Sequence, residues 1–380
     1  MTAQTTARVR RIQLGHGSGG QLTHDLIQQL FVARLGNPIL APLGDAGLLA
    51  LQAGETRLAM TTDSFVVSPL FFPGGDIGSL AVNGTVNDLA VSGARPRYLS
   101  LGAILEGGLP METLERVVKS MARAATAAGV QIVTGDTKVV ERGKGDGVFL
   151  NTAGVGVMRV GYPRQDRSPR VGDRLLVSGT LGDHGAVVLA ARSGVELASS
   201  GAQPGLCSDC APVTSLVDAL FDACVVPLFM RDPTRGGLAG VACDVAEQLG
   251  LGLSLDEAQI PVQPDVVTLC DLMGVDPLHL ACEGRVVALV AEEDEERALQ
   301  AWSAREAGEP RPECGAERAT GETARAHGRA PLCTPEWLPQ SVRVIGRLVA
   351  SHPGRVTLTT RFGGTRRILR PTAELLPRIC

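Results

Sequence analysis

Acidic residues recur along this chain next to apolar segments, in places where they could hold a divalent cation. Asp45 stands among glycines before one apolar segment, and Asp63 follows another. Asp88 lies on a predicted helix, Asp136 follows a glycine at a predicted strand end, and Asp232 lies at the mouth of a further strand. Carboxylates in a water-poor crevice repel one another unless a cation neutralises them, and Mg²⁺ completes its oxygen shell with phosphate. The acids therefore predict a magnesium and phosphate site, with a solvated polar face as the alternative around Asp63.

Two further residues carry side chains that could move protons. Lys138 lies two residues after Asp136, close enough to serve the same site. It could pair with phosphate, or act on a substrate if burial or charge lowered its pKa, and a solvated loop lysine is the alternative. Glu283 immediately precedes an apolar strand, and a structural ion pair with Arg285 is its alternative role.

Glycines near these residues favour phosphate binding. Arg235 can reach an anion, and Gly236 opens a predicted helix whose N-terminus favours negative charge. Near the start of the chain, the loop HGSGG at His16 to Gly20 could fold its backbone N–H groups over phosphates, although an ordinary glycine turn is equally consistent.

The elements that must position these residues follow from the local pattern. Residues 59–62 predict the end of a buried strand, which places Asp63 where a sheet opens. Asp76 is suited to cap the helix that follows, with its core side formed by Ile77, Leu80 and Ala81. Asn83 and Asn87 are four residues apart, so we expect them in a polar stripe that faces away from the core, and Gly84 between them allows a close approach to the backbone.

Composition limits the class of protein. A chain of 380 residues is long enough for two domains, and 44% apolar but only 3% aromatic residues with 46 glycines are typical of an α/β protein. The net charge of −4 argues against a nucleic-acid partner, and no apolar run is long enough to span a bilayer. The start shows no secretory signal, so we expect a cytoplasmic protein whose nine cysteines are reduced thiols.

The predicted domain organisation has four parts. Residues 1–40 form an N-terminal segment with the glycine-rich loop, 41–160 an N-terminal domain, and 172–360 a C-terminal α/β domain. Within the latter, 303–340 is rich in Ala, Arg, Glu, Gly and Pro and is predicted to be a disordered insertion. Residues 361–380 form a flexible tail that ends in Cys380, whose thiol needs a nearby base or cation to react at neutral pH.

Two residue patterns in the second half allow less definite interpretations. A zinc site could be formed by the pair in CSDC together with two cysteines of the insertion, namely Cys207, Cys210, Cys314 and Cys333, but one CxxC pair is a weak signal. His184 follows Asp183 at a predicted strand-to-helix turn and is interpreted as a turn or cap residue rather than a ligand.

Several segments together resemble a known family. They are DSFVVSPLFFPGGDIGSLAVNGTVNDLAVSGARP, TGDTKVVERG, RDPTRGGLA and the terminal PRIC. The first three are similar to the aminoimidazole ribonucleotide synthetase-like ATP-binding superfamily, and PRIC is specific to its hydrogenase maturation members, which are carbamoyl dehydratases. The resemblance implies an α/β (α+β) two-domain fold whose N-terminal domains pair in a homodimer to form a shared β-barrel.

The resemblance also implies a site and a reaction. Magnesium and the triphosphate would be held by Asp45, Asp63, Asp88, Asp136 and Asp232, and the full ATP-binding prediction adds Asn83, Asn87, Arg235 and Gly236. A carbamoyltransferase partner would place a carbamoyl group on Cys380, and ATP would drive its dehydration to a thiocyanate, with Lys138 and Glu283 as candidate proton acceptors. The cyano group would pass to iron of a nickel–iron hydrogenase precursor, held by a scaffold complex.

Two alternatives remain at this point. A small-molecule enzyme of the same superfamily, such as selenophosphate synthetase or thiamine monophosphate kinase, needs no thiol at the C-terminus. A non-catalytic scaffold that used Cys380 as a metal ligand would leave the five aspartates unexplained.

Overall fold

The computed structural model describes residues 21–26, 28–29, 47–49, 57–164, 166–195, 205–306, 341–371 and 378–379. In chain order, the first part of the chain forms α1 (Gln21–Leu26), β1 (Gly47–Leu49), β2 (Leu58–Phe65), β3 (Phe71–Phe72), β4 (Gly75–Asp76), α2 (Ile77–Val91), β5 (Ala94–Glu106), α3 (Met111–Ala128), β6 (Gln131–Val140) and β7 (Val148–Met158).

The first sheet has the strand order β1-β2-β7-β5-β6, and β3 and β4 form a small hairpin. Strand β7 pairs antiparallel with both β2 and β5, whereas β6 adds in parallel to β5, and no described strand pairs with the other edge of β6. Asp63 lies within β2, opposite Thr152 of β7, and not beyond the end of the strand as we expected. The strand continues because Ser64 and Phe65 still pair with β7, and Phe65 buries its ring in the core.

Helix α2 begins as the sequence predicts but has different surroundings. The Asp76 side chain accepts hydrogen bonds from the backbone N–H groups of Gly78 and Ser79, and Ser79 bonds back to Asp76 in a capping box. The alternative of a solvated polar face does not hold here, because Asn83 and Asn87 are both buried. The second domain covers that side of the helix, as their hydrogen bonds to residues beyond 209 show.

Helix α3 is amphipathic and ends at a glycine. Val117, Met121 and Ala125 are buried against the first domain, and the helix stops at Gly129, whose φ of 69° is left-handed. Glycine adopts that conformation without the strain that a side chain would add.

The second part of the chain is an α+β domain. It forms, in chain order, β8 (Arg174–Val177), α4 (Asp183–Ser193), α5 (Thr214–Asp222), β9 (Phe229–Arg231), α6 (Gly237–Leu249), β10 (Gly252–Asp256), α7 (Pro264–Met273), β11 (Val287–Val290), α8 (Glu295–Glu306), β12 (Arg343–Val349), β13 (Val356–Thr359) and β14 (Thr365–Ile368). Its sheet has the order β14-β13-β10-β12-β8-β11-β9, and only β10 and β13 pair in parallel. Helix α8 extends to Glu306, so the first residues of the predicted insertion are helical, and 307–340 lie outside the described residues.

The two domains share a core. Leu89, Val91 and Ala94 of the first domain pack in one buried cluster with Val217 and Leu220 of the second. At the edge of this cluster the buried guanidinium of Arg159 binds Asp218 at 2.8 Å. A continuous apolar contact of this kind holds the facing residues of the two domains in fixed positions.

Two whole-chain expectations can be compared with the described ranges. Among the residues described, no helix is both long and apolar enough to cross a membrane. The expectation that all cysteines are reduced is wrong at Cys224, which is disulfide-bonded, whereas Cys210, Cys243, Cys270 and Cys282 are thiols.

Candidate active site

Glu283 is the buried centre of an acidic cluster where the domains meet. It precedes β11, is 1% exposed, and its Oε1 atom has no hydrogen-bond partner among the described residues. Burial raises the pKa of Glu283 well above its ordinary value, and the negative charges of Asp232, Asp209 and Asp63 raise it further. The structure therefore brings together predicted acids from β2, from the position directly after β9 and from the segment before β11.

Positive charge and a free helix end lie beside the same acids. Arg235 Nη2 lies 3.5 Å from Asp63 Oδ1. Helix α6 begins after Gly236, which has a left-handed φ of 84°, and no side chain caps its first turn. The first backbone N–H groups of such a helix attract anions, so this end can receive phosphate oxygens.

Helix α2 supplies the next group of polar residues. Thr61 Oγ1 donates a 2.9 Å hydrogen bond to Asp88 Oδ2, which fixes that carboxylate against β2. Asn83 Oδ1 is buried and has no hydrogen-bond partner among the described residues. A Cβ atom on Gly84 would lie 2.8 Å from the Phe65 ring, so the close approach that we expected at this glycine is made by that ring.

Asn87 joins the domains. Its Nδ2 donates to the carbonyl oxygens of Ala211 at 3.1 Å and Glu283 at 3.0 Å, and its Oδ1 accepts from the Val213 N–H at 2.8 Å. These bonds use the amide fully within the protein, and they position the Glu283 backbone.

Asp136 and Lys138 have different surroundings from the other predicted residues. They lie on β6 with side chains 71% and 72% exposed, and their charged atoms are 3.1 Å apart. The Lys138 ammonium lowers the pKa of Asp136. In this chain, the pair faces solvent and Glu283 does not. Asp45 and Cys380 lie outside the described residues.

His184, which the sequence pattern placed as a turn or cap residue, binds the C-terminal tail. It is fully buried in the first turn of α4, its Nδ1 lies 2.8 Å from Ser208 Oγ, and its Nε2 lies 2.7 Å from the carbonyl oxygen of Ile379. Ile379 is itself buried and is the residue before Cys380. The only local signal for this role was a histidine at a helix start.

A second unpredicted residue, Asp209, supports the Glu283 segment. Its carboxylate accepts hydrogen bonds from the N–H groups of Glu283 at 3.0 Å and Gly284 at 3.2 Å. Arg285 pairs with Asp209 at 3.7 Å and with Asp183 at 3.3 Å, rather than with Glu283. Burial raises the pKa of Asp183 to about 6 against the opposing effect of Arg285.

The cysteines of the CSDC segment contact the same region. Burial raises the pKa of Cys210 to about 12, and Asn83 Nδ2 donates to its sulfur at 3.5 Å. A thiol with so high a pKa resists the deprotonation that zinc binding requires. Cys314 and Cys333, the other residues of the zinc hypothesis, lie outside the described residues.

The acidic cluster can hold a cation only with help from a ligand. Among the described residues, no three His, Cys, Asp or Glu side chains are close enough to enclose a metal by themselves. Mg²⁺ in nucleotide sites commonly takes one or two carboxylates and completes its shell with phosphate and water. Asp63 and Asp232 fit that pattern, because the charges of both act on the buried Glu283 carboxyl group, whose Oε1 atom has no hydrogen-bond partner among the described residues.

Sequence families define the class to which this fold and site belong. Residues 43–158 match the family described as AIR synthase related protein, N-terminal domain, and residues 170–310 match the corresponding C-terminal domain. The chain therefore belongs to the AIR synthase related proteins, as its sequence motifs predicted.

Individual relatives narrow the class. The chain is 44% identical over 370 residues to the carbamoyl dehydratase HypE of Cupriavidus necator, covering 97% of this chain and 95% of that protein. It is also similar to the crystal structure of a HypE–HypF complex, with TM-score 0.75, 38% identity, and coverage of 91% of this chain and 99% of that one. A structure of HypE in complex with ATP gives TM-score 0.71 and 41% identity, covering 97% and 100%. The chain is a member of the HypE family of carbamoyl dehydratases, which confirms the predicted family, two-domain fold and enzyme class.

Proposed function

We propose that this enzyme uses ATP to dehydrate a carbamoyl group carried on the thiol of its own Cys380, giving the thiocyanate that supplies the cyanide ligand in nickel–iron hydrogenase maturation. The observation that carries the proposal is the docking of Ile379. Its carbonyl oxygen binds His184, His184 binds Ser208, and the next residue, Asp209, holds the backbone N–H of Glu283. A short series of contacts thus joins the residue before Cys380 to the buried acid.

ATP is the proposed co-substrate, because a HypE relative has been solved with ATP. The proposed triphosphate site consists of the N-terminal end of α6 with Arg235 and Gly236, the α2 residues Asn83, Asn87 and Asp88, and the acids Asp45, Asp63, Asp136 and Asp232. The filled hydrogen bonds of Asn87 favour an indirect role for it, in which it positions the neighbouring segments. Mg²⁺ bound at these aspartates would offset negative charge on the transferring phosphoryl group.

The reaction needs a better leaving group than the amide oxygen. Attack of the carbamoyl oxygen on the γ-phosphorus of ATP forms an O–P bond, releases ADP and leaves an O-phosphorylated thioimidate once one N–H proton is removed. Loss of the second N–H proton then expels phosphate by cleavage of the C–O bond and forms the C≡N bond. The chain must therefore accept two protons near the tail.

Glu283 is the proposed acceptor of at least one of them. A carboxylate whose pKa is raised by burial and by neighbouring acids holds a proton more strongly than an ordinary glutamate, which suits a general base near neutral pH. Lys138 is the second candidate, although its ion pair with Asp136 is exposed in one protomer.

The proposed partners are a carbamoyltransferase, an iron-binding scaffold complex and a second copy of this chain, in the cytoplasm. The first rests on the relative solved as a HypE–HypF complex. The homodimer rests on β6, whose outer edge pairs with no described strand, and on the neighbouring β5, because both strands expose apolar residues: Tyr98, Ile104, Val133 and Val139. An apolar edge strand of this length is normally covered in a soluble protein.

Intact mass spectrometry tests the proposed reaction. The protein and its Cys380→Ala variant are incubated with the carbamoyltransferase, carbamoyl phosphate and MgATP. We expect the wild-type chain to gain one carbamoyl group and then lose one water, and the variant to show neither change while it still binds ATP. No mass change in either protein, with the transferase shown to be active, would favour a small-molecule enzyme such as selenophosphate synthetase or thiamine monophosphate kinase.

A further inference from the structure

The docked end of the tail is recognised mainly through its backbone. The Arg378 carbonyl oxygen accepts a hydrogen bond from the Ser68 N–H at 3.2 Å and a second from the Arg192 guanidinium. The next carbonyl, that of Ile379, accepts from His184 Nε2 at 2.7 Å. Helix α4 carries both His184 and Arg192, so one helix binds two consecutive carbonyl groups of the tail.

The contacts of His184 determine which ring nitrogen carries the proton. A carbonyl oxygen only accepts, so Nε2 must be the donor to Ile379. Ser208 Oγ accepts from the Cys210 N–H at 3.1 Å, and its own hydrogen is then available to Nδ1 of the neutral ring. Phe72 lies edge-on to the ring at 5.2 Å and restricts its rotation. His184 is therefore a donor of fixed direction, aimed at the last peptide group before Cys380.

Some features of the docked tail stabilise it in this position, and one feature destabilises it. Ile379 is buried and Arg378 pairs with Asp146 at 2.7 Å, which favours docking. Arg378 also has a φ of 59°, a left-handed conformation that is unfavourable for arginine. Because backbone strain opposes docking, the hydrogen bond from His184 has a large influence on how much of the tail is docked.

From these contacts we infer that His184, held by Ser208, is a positioning residue that keeps the Ile379–Cys380 peptide at the junction of the two domains during dehydration. It acts on the tail backbone and not on the reacting atoms. The kinetic consequence of this inference rests on the proposed function. The effect of His184 on the exposure of Cys380 does not depend on that function.

Two substitutions at one position separate the two contacts of the ring. Gln at 184 can place an amide N–H near the position of Nε2, whereas the shorter Asn reaches only the position of Nδ1 and keeps the bond to Ser208 alone. His184→Asn therefore removes the donor to Ile379, whereas His184→Gln retains it, and the two polar variants are otherwise similar.

The first measurement is the alkylation rate of Cys380 by iodoacetamide, followed by peptide mass mapping to separate it from the other thiols. We expect a faster reaction in His184→Asn, by up to about tenfold, since loss of a buried hydrogen bond of this kind shifts the docking equilibrium by about that factor. His184→Gln should restore most of the protection. Denaturant unfolding of all three proteins controls for the fold, and Ser208→Ala provides a second variant in which the ring loses its support but stays in place.

The second measurement is the single-turnover rate of water loss from the carbamoylated protein. We expect it to fall in His184→Asn and to recover in His184→Gln, with the fold-decrease in this rate and the fold-increase in alkylation multiplying to about ten, while carbamoylation by the transferase proceeds at least as fast as in the wild type. Equal alkylation of Cys380 in wild type and His184→Asn, or an equal defect in the Asn and Gln variants, would overturn the inference. If the wild-type protein loses no water, the proposed function fails, and the alkylation comparison still decides the role of His184.

Discussion

Glu283 and Lys138 were equivalent candidates for the proton acceptor by sequence, and their environments distinguish them. Glu283 is buried among acids that raise its pKa, whereas Lys138 is exposed beside Asp136. A general base must hold its proton well enough to take it from the substrate and must lose it again at working pH. Glu283 meets this condition within one protomer.

We predict that Glu283→Gln lowers the single-turnover dehydration rate by about 100-fold or more, because the loss of a general base commonly has an effect of that size. The amide has nearly the shape of the carboxyl group, so ATP binding should persist. In the wild type the rate should fall as the pH falls through the raised pKa of Glu283, since protonation removes the base, and the variant should lack that dependence. Rates at a series of pH values, with Lys138→Met as the comparison, check this; a larger defect in the lysine variant would reverse the two roles.

The same residues show how far the sequence could predict the site. Asp63, Asp232 and Glu283 carry a local signal, because each acid lies in or beside an apolar strand segment, and the structure brings them together. His184 and Asp209 carry no such signal. Their partners, Ile379 and Glu283, are 195 and 74 residues away, so only the folded chain shows what they contact.

Helix α2 shows a different limit at the scale of an element. Its cap, start and apolar residues follow from local rules, and the predicted capping by Asp76 is confirmed. The environment of its polar positions does not follow from local rules. Asn83 and Asn87 are spaced as an exposed stripe would be, but the second domain covers them. An amphipathic pattern predicts which side packs against its own sheet, and not what covers the opposite side.

We predict that Asn87→Ala lowers the free energy of unfolding by about 3 kcal/mol, because it leaves the Val213 N–H and the Ala211 carbonyl without their buried partner and leaves the Glu283 carbonyl with the Ala211 N–H alone. Asn83→Ala is the matched control on the same helix. It removes one contact to Cys210 and an oxygen that had no hydrogen-bond partner among the described residues, so its cost should be about 1 kcal/mol or less. Guanidinium titrations of both variants measure the difference, and equal losses would show that Asn87 does not join the domains.

At the scale of the whole molecule, the first sheet ends in an exposed strand. Strand β6 is the edge of its sheet, and nearly all of its residues are exposed, including Val133 and the pair Asp136 and Lys138. Residues predicted to bind ATP and to accept a proton would be expected in a sheltered place. A second copy that covered β6 would shelter them, which links the proposed homodimer to the proposed chemistry.

The dimer can be tested at this edge. Val139→Lys places a charge on β6 where an apolar side chain is now 70% exposed, and lysine on an edge strand opposes pairing with another chain. We expect the variant to sediment as a monomer at micromolar concentration with an unchanged unfolding midpoint. Val160→Lys is the control, because Val160 is 96% exposed but follows β7 rather than lying on β6. It should remain a dimer.

If Val139→Lys is monomeric and also loses dehydration, the contribution of Lys138 depends on the partner copy. If it stays dimeric, the two copies must meet through another surface, and Lys138 would lose its strongest support as a catalytic residue.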